Sequence, residues 1–207
     1  MLAAVPGSPS AYIDRNELLS KRLTTQVSER SGNLSHSPAE TLSPVLPTAV
    51  EDAASKLLRA CCDARLKIAT AESCTGGLLA SLLTDVEGAS HAFERGFIVY
   101  SEEAKCELLG IAGDQIDVCG AVSRDVAIAM AQGTIRQSAA DISLAITGYA
   151  GPTNDGGEEG LVHFACTRRN RTTRHRVEHF GAVGRGPIRI AAITVALDMM
   201  MDAVRDA

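Results

Sequence analysis

The sequence has no excess of basic residues, no long apolar run and no closely spaced cysteine pairs of the metal-binding kind, and each absence removes a class of function. Lys and Arg number 20 against 25 Asp and Glu, giving a formal net charge of -5 and a pI near 5.5. General affinity for phosphate backbones or anionic lipid is therefore not expected, and neither nucleic acid nor membrane is read as a partner. No apolar stretch approaches the roughly 20 residues that span a bilayer, and Met1 to Asp14 lacks the basic and apolar regions of a secretion signal. The expectation is a soluble, cytoplasmic protein. Cys61, Cys62, Cys74, Cys106, Cys119 and Cys166 form no C-x-x-C pair, which excludes a zinc ribbon and a thioredoxin motif and leaves reduced thiols, with no metal and no cofactor expected.

What is present is enough for one core. With 207 residues, 45% of them apolar, the chain reads as a single domain behind an N-terminal extension. Residues 1–47 hold five of the seven prolines and little apolar periodicity beyond a loose stripe at Ile13, Leu18, Leu19, Leu23 and Val27, so this stretch is expected to be disordered or loosely helical. The domain proper, residues 48–207, opens with Thr48 and Glu51 at capping-box spacing, followed by a helical stripe of Val50, Ala53, Ala54, Leu57, Leu58 and Cys61.

Further elements follow in order. A short apolar run, Leu66 to Ala71, stops at a Ser/Thr/Gly cluster, and Leu78 to Thr84 then has helical spacing, which reads as strand, tight turn, helix. Phe97 to Tyr100 reads as a second strand, and Ser101, with Glu102 and Glu103 behind it, as the cap of a helix to Leu109 that puts Lys105 on a face with Leu108 and Leu109. Ser123 caps a helix with Val126, Ala127, Met130, Ala131 and Ile135 inward, and Ile142 to Thr147 is a strand buried on both faces. Leu161–Thr167 and Thr173–Phe180 form a hairpin around the arginine-rich turn Arg168 to Arg171, read as a solvated turn, and a long helix runs from Arg185 to Val204 with Pro187 in its first turn. His175 and His179 share a strand face but stand roughly 13 Å apart, too far for one metal ion within this strand. Met199 to Met201 reads as core or subunit interface, so a homo-oligomer stays open. The fold class is α/β, a three-layer α/β/α sandwich around a mixed sheet.

Three strand ends carry polar or nucleophilic groups: Ser73 beside Cys74, Tyr100 with Lys105, and Thr147. Ligands gather at the carboxyl ends of strands in such sheets, so these segments are expected to converge. The first turn of a helix leaves its N–H groups unpaired, so Thr75, Gly76 and Gly77 are candidates to hold an anion or an oxyanion. No histidine lies in these segments, and a lysine stripped of water is an alternative base for a serine. From chemistry alone two readings remain, a serine hydrolase acting on an amide or ester and a glycine-rich binding loop without catalysis.

Taken together, Thr70-Ala71-Glu72-Ser73-Cys74-Thr75-Gly76-Gly77, Arg95 to Ser101 with Lys105 and Leu108-Leu109-Gly110, Gly120-Ala121-Val122-Ser123, and Thr147-Gly148 with Ala150-Gly151-Pro152 resemble the C-terminal domain of the competence/damage-inducible CinA family. The resemblance covers about Val50 to Val204. It implies nicotinamide-nucleotide amidohydrolase activity, with a small-molecule nucleotide as partner, the serine nucleophile at Ser73 and the tyrosine and lysine of a Y-x-x-x-x-K segment at Tyr100 and Lys105. It also implies a substrate contacted by Glu72, Thr75, Gly76, Gly77, Thr147, Gly148, Gly151 and Arg189, the arginine suiting a phosphate. The runner-up is a non-catalytic nucleotide-binding regulatory module of a competence or damage response. Departures from the family pattern are Tyr149, the acidic Asp155, Glu158 and Glu159, and Ala182, which bear on substrate preference. Larger members carry a further N-terminal domain for which 207 residues leave no room, so the chain is read as a stand-alone deamidase domain.

Overall fold

A computed structural model describes residues 46–153 and 156–206. Expectations placed on residues 1–45, and on Asn154 and Asp155 of the acidic loop, lie outside the described residues. The chain runs α1 (Thr48–Ala64), β1 (Ile68–Glu72), α2 (Leu78–Thr84), β2 (Phe93–Ile98), α3 (Glu102–Leu109), α4 (Gly113–Cys119), α5 (Arg124–Arg136), β3 (Ile142–Gly148), β4 (Leu161–Arg168), β5 (Arg174–His179) and α6 (Arg185–Arg205).

The five strands form one sheet in the order β2-β1-β3-β4-β5. β1 is parallel to both β2 and β3, whereas β3–β4 and β4–β5 are antiparallel, so the sheet is mixed. Alternation along the strands divides the apolar residues between two faces. Ile68, Ile142, Leu144, Ile146, Val162 and Phe164 pack with residues of α1, α2 and α6. Ala71, Ala145 and Ala165 pack on the other side with Leu109 of α3, Ile116 of α4 and Val126, Met130 and Ala131 of α5. These two clusters make the three-layer α/β/α sandwich. Large branched side chains fill one interface, and alanines on the other let α5 approach the sheet closely. Each buried Leu, Ile or Met contributes about 1.5–3 kcal/mol by leaving water.

Several local readings shift. Thr48 lies inside α1 and Pro47 is its N-cap, with the Val50 N–H donating to the Pro47 carbonyl at 2.8 Å, so the capping box does not form. The second strand occupies Phe93–Ile98 rather than Phe97 to Tyr100. As an edge strand paired only with β1, it carries no continuous apolar run: Arg95 pairs with Ala69, and Glu94 is the extra residue of a bulge. α4 is an additional short helix with Ile116 as its buried residue. Among the described residues no helix is long and apolar enough to cross a membrane.

Candidate active site

Strand β1 ends in two adjacent residues that serve opposite faces of the sheet. Glu72 is fully buried, and its carboxylate accepts hydrogen bonds from the N–H groups of Gly77 (3.1 Å), Leu79 (3.1 Å) and Ala80 (2.8 Å). It therefore caps the N-terminus of α2, where a negative charge meets both the unpaired donors and the positive end of the helix dipole. Gly77 makes the turn with φ of 89°, and a Cβ there would stand 2.8 Å from Ile98 Cδ1, so no other residue fits without displacement.

Ser73 continues the β1–β3 ladder, its N–H donating to the Ile146 carbonyl at 3.0 Å, and its side chain turns toward α3. There Lys105, only 1% exposed, donates from Nζ to Ser73 Oγ (3.3 Å) and to the carbonyls of Val99 (3.0 Å), Tyr100 (3.3 Å) and Ser101 (3.4 Å). Burial pushes the Lys105 pKa below its usual value, and Glu102, Cys74 and Cys106 offset that shift only in part. A neutral amine keeps two donors for the carbonyls and presents a lone pair to the serine hydroxyl. Leu109 shares the buried side of α3 with Lys105, whereas Leu108 turns outward and is 46% exposed.

Cys74 points the other way, into the cluster shared with α1, α2 and α6, and burial raises its thiol pKa to about 12. Of the adjacent pair, only Ser73 meets Lys105, while the Cys74 thiol is held protonated on the far side of the sheet.

The remaining sequence-selected residues divide into those at this turn and those supporting it. Thr75 is buried, and its carbonyl accepts from the Leu78 N–H and from the Arg189 guanidinium at the start of α6. The backbone donors of Thr75 to Gly77 are not all available, since the Gly76 N–H is spent on the Ser73 carbonyl and that of Gly77 on Glu72. Among the described residues the Thr75 N–H has no partner and that of Cys74 meets only its own thiol, which moves the candidate oxyanion donors one residue toward Ser73. Glu72, expected at the substrate, is instead fully committed to α2. Tyr100 meets Lys105 through its main-chain carbonyl, while its side chain faces outward and the residue is 68% exposed. Thr147 is buried at the end of β3 and donates from Oγ1 to the Ala121 carbonyl at 2.8 Å, tying the Gly120 to Ser123 loop over the site. Gly148 lets β4 approach closely, a Cβ there falling 2.7 Å from the Leu161 carbonyl oxygen. Gly151 faces the Arg185 guanidinium, and Gly76 faces that of Arg189.

One nearby residue escaped the sequence reading. His163 on β4 pairs in register with Thr147 and lies on the same sheet face as Ala165, two residues on. Its Nδ1 is 3.0 Å from His175 Nε2 on β5, and burial, followed by His175, lowers its pKa. Alternation within β4 assigns His163 a face, but only the strand order sets it beside Thr147. Among the described residues no group of three or more His, Cys, Asp or Glu could hold a metal ion.

Glu72→Gln tests the cap directly. The amide turns one oxygen into a donor facing a backbone donor, so the variant is expected to lose about 3 kcal/mol of stability. A urea denaturation midpoint matching that of the parent would show that the carboxylate is not what holds the turn.

Comparison with known proteins agrees with the fold. The model of the CinA C-terminal domain family matches residues 50–204. A CinA-like protein of Syntrophobacter fumaroxidans is 41% identical over 144 residues, covering 68% of this chain and 33% of that protein. One of Chlorobium limicola is 36% identical over 159 residues, covering 77% of this chain and 34% of that protein. The chain thus spans about a third of the length of the curated relatives it matches. Among solved structures, the competence/damage inducible protein CihA from Agrobacterium tumefaciens superposes with a TM-score of 0.74 at 37% identity, over 79% of this chain and 99% of that one. A CinA superfamily protein from Escherichia coli superposes with a TM-score of 0.71 at 32% identity, over 83% of this chain and 99% of that one. On family match, relatives and fold together, the chain belongs to the CinA C-terminal domain family.

Proposed function

We propose that this domain is an amidohydrolase that converts nicotinamide mononucleotide and water to nicotinate mononucleotide and ammonia. The observation that carries the reading is the contact between Ser73 Oγ and a buried Lys105 Nζ, 3.3 Å apart, with the lysine pKa lowered by burial. A residue whose only task is to bind a nucleotide gains nothing from a desolvated amine beside a hydroxyl; a serine that must lose a proton does.

The steps balance with these two groups. Neutral Lys105 takes the hydroxyl proton as Ser73 Oγ attacks the carboxamide carbon, and the resulting oxyanion is met by the N–H groups of Cys74 and Thr75. Each such donor contributes on the order of 3–4 kcal/mol where measured. Lys105 returns the proton to the departing nitrogen, the C–N bond breaks and ammonia leaves an acyl ester on Ser73. Water then adds to the ester, giving up one proton to Lys105, and Ser73 Oγ leaves and recovers that proton as the carboxylic acid forms, which then ionises, its proton passing to solvent or to the released ammonia. Arg189 would meet the substrate phosphate, a role supported by its position beside the turn through its bond to the Thr75 carbonyl.

The same contacts support a second reading. Lys105 also donates to three carbonyls, as a purely structural brace would, and the pocket would then hold a nucleotide without turning it over. Measuring ammonia release from nicotinamide mononucleotide, nicotinamide riboside and nicotinamide separates the two. The amidohydrolase reading expects release from the mononucleotide well above the other two, because only it carries the phosphate. Tight binding of the mononucleotide with no ammonia from any of the three would establish the binding module instead.

A further inference from the structure

At the end of the sheet remote from Ser73, a cavity of about 330 Å³ opens between the β4–β5 turn and the last turn of α6, with Arg168, Arg171 and Arg174 in its wall. Arg168 pairs in register with Ile142, the first residue of β3, which fixes the cavity at the opposite strand end from Gly148 and the candidate active site. We propose that this cavity is a second ligand site, one that binds a phosphate group.

The charge balance supports it. In a chain of net charge -5, three guanidiniums line this wall and Asp206 is the one carboxylate among them, a formal local excess of two positive charges. Two of the three have partial duties: Arg168 Nη1 donates to the Ala203 carbonyl at 3.0 Å, and Arg174 pairs with Asp206. The guanidinium of Arg171 has no partner among the described residues. Arg169 shows what an arginine of this turn looks like when its role is structural, since it donates to the carbonyls of Ile135, Ser138 and Ala140 and closes the end of α5. Arg168, Arg171 and Arg174 are not consumed in that way.

Like charges gathered around a concavity repel unless an anion is shared among them. The planar forks of guanidinium match the oxygens of phosphate better than an ammonium does, and the Thr172 hydroxyl on the same wall adds a neutral donor. The volume falls at the lower end of the range of about 300–1,000 Å³ for small-molecule sites, suited to inorganic phosphate or a small phosphomonoester. The wall is open to water, so binding weakens as chloride rises.

Calorimetric titration of the full chain with inorganic phosphate, and separately with ribose 5-phosphate, tests the assignment. Arg171→Gln is expected to weaken binding at least about tenfold, the loss of one charge-assisted contact. Asp206→Asn, which releases Arg174 from its partner, is expected to tighten it; each titration is run in an Arg189→Gln background, so that phosphate held at the candidate active site does not contribute. A response to both ligands identifies the phosphate group itself as the determinant, and a response to the ester alone supports the site with the ester as its source. Absence of saturable binding at millimolar ligand would overturn the proposal. So would affinities that ignore Arg171→Gln and Asp206→Asn.

Discussion

Ser73→Ala should leave ammonia release from nicotinamide mononucleotide at the uncatalysed background while the nucleotide still binds. Removing one oxygen deletes the attacking atom, and loss of a serine nucleophile in comparable acyl-transfer enzymes costs on the order of 10⁴-fold or more in turnover. The fold should tolerate the change, because Ser73 holds its place in the ladder through its backbone N–H to the Ile146 carbonyl, which alanine retains. Binding by calorimetry together with release by an ammonia-coupled assay gives both halves of the result. Undiminished turnover in a folded variant would remove Ser73 from the chemistry.

Lys105→Arg is the sharper of the two large effects. Arginine supplies donors for the carbonyls of Val99, Tyr100 and Ser101 but does not deprotonate in proteins, so it can brace and cannot act as a base. A loss of about 10²–10⁴-fold in turnover is expected if the base function is gone. Near-parental activity would make Lys105 a brace. The pH dependence carries independent information. Because burial lowers the folded-state pKa of Lys105, the folded chain releases this proton at a pH where the unfolded chain, near the ordinary value of 10.5, still holds it. Stability therefore rises with pH between those two values, and the desolvation penalty is fully present below the lower one. Turnover should rise with pH on the same titration. In Lys105→Met both the stability slope and that limb of the rate profile should be missing.

Much of this arrangement is written locally. β3, the Ser123 cap, α5 with its inward stripe and the α2 span follow from periodicity and turn chemistry confined to a few residues, and the structure places each where the pattern does. What depends on neighbours in space was less legible. β2 escapes an apolar-run reading because an edge strand with one partner tolerates a bulged Glu94 and a paired Arg95. The backbone donors after Ser73 look free in the sequence, yet Glu72 reaches three N–H groups at the start of α2 and the Ser73 carbonyl takes that of Gly76. A charged acceptor already in the chain, a few residues away, competes for such donors ahead of any ligand. Helix spacing set Lys105 beside Leu109, but a lysine on such a face ordinarily reaches water, so neither its depth nor its contact with Ser73, 32 residues away, is legible without the sheet order. His163 depends on the same order, because only the pairing of β3 with β4 brings it to Thr147.

The adjacency of Glu72 and Ser73 has a mechanical meaning. Consecutive residues of one strand are pinned on opposite sides of the sheet, one to the start of α2 and the other to Lys105, so the peptide between them behaves as a rivet through the middle layer. Any displacement of the hydroxyl large enough to matter would have to pull a carboxylate off three backbone donors at once. Adjustment to a ligand must then come from the opposing wall, from the Gly120 to Ser123 loop hung on Thr147 and from the chain after Gly148, while the Ser73 hydroxyl stays where the sheet holds it.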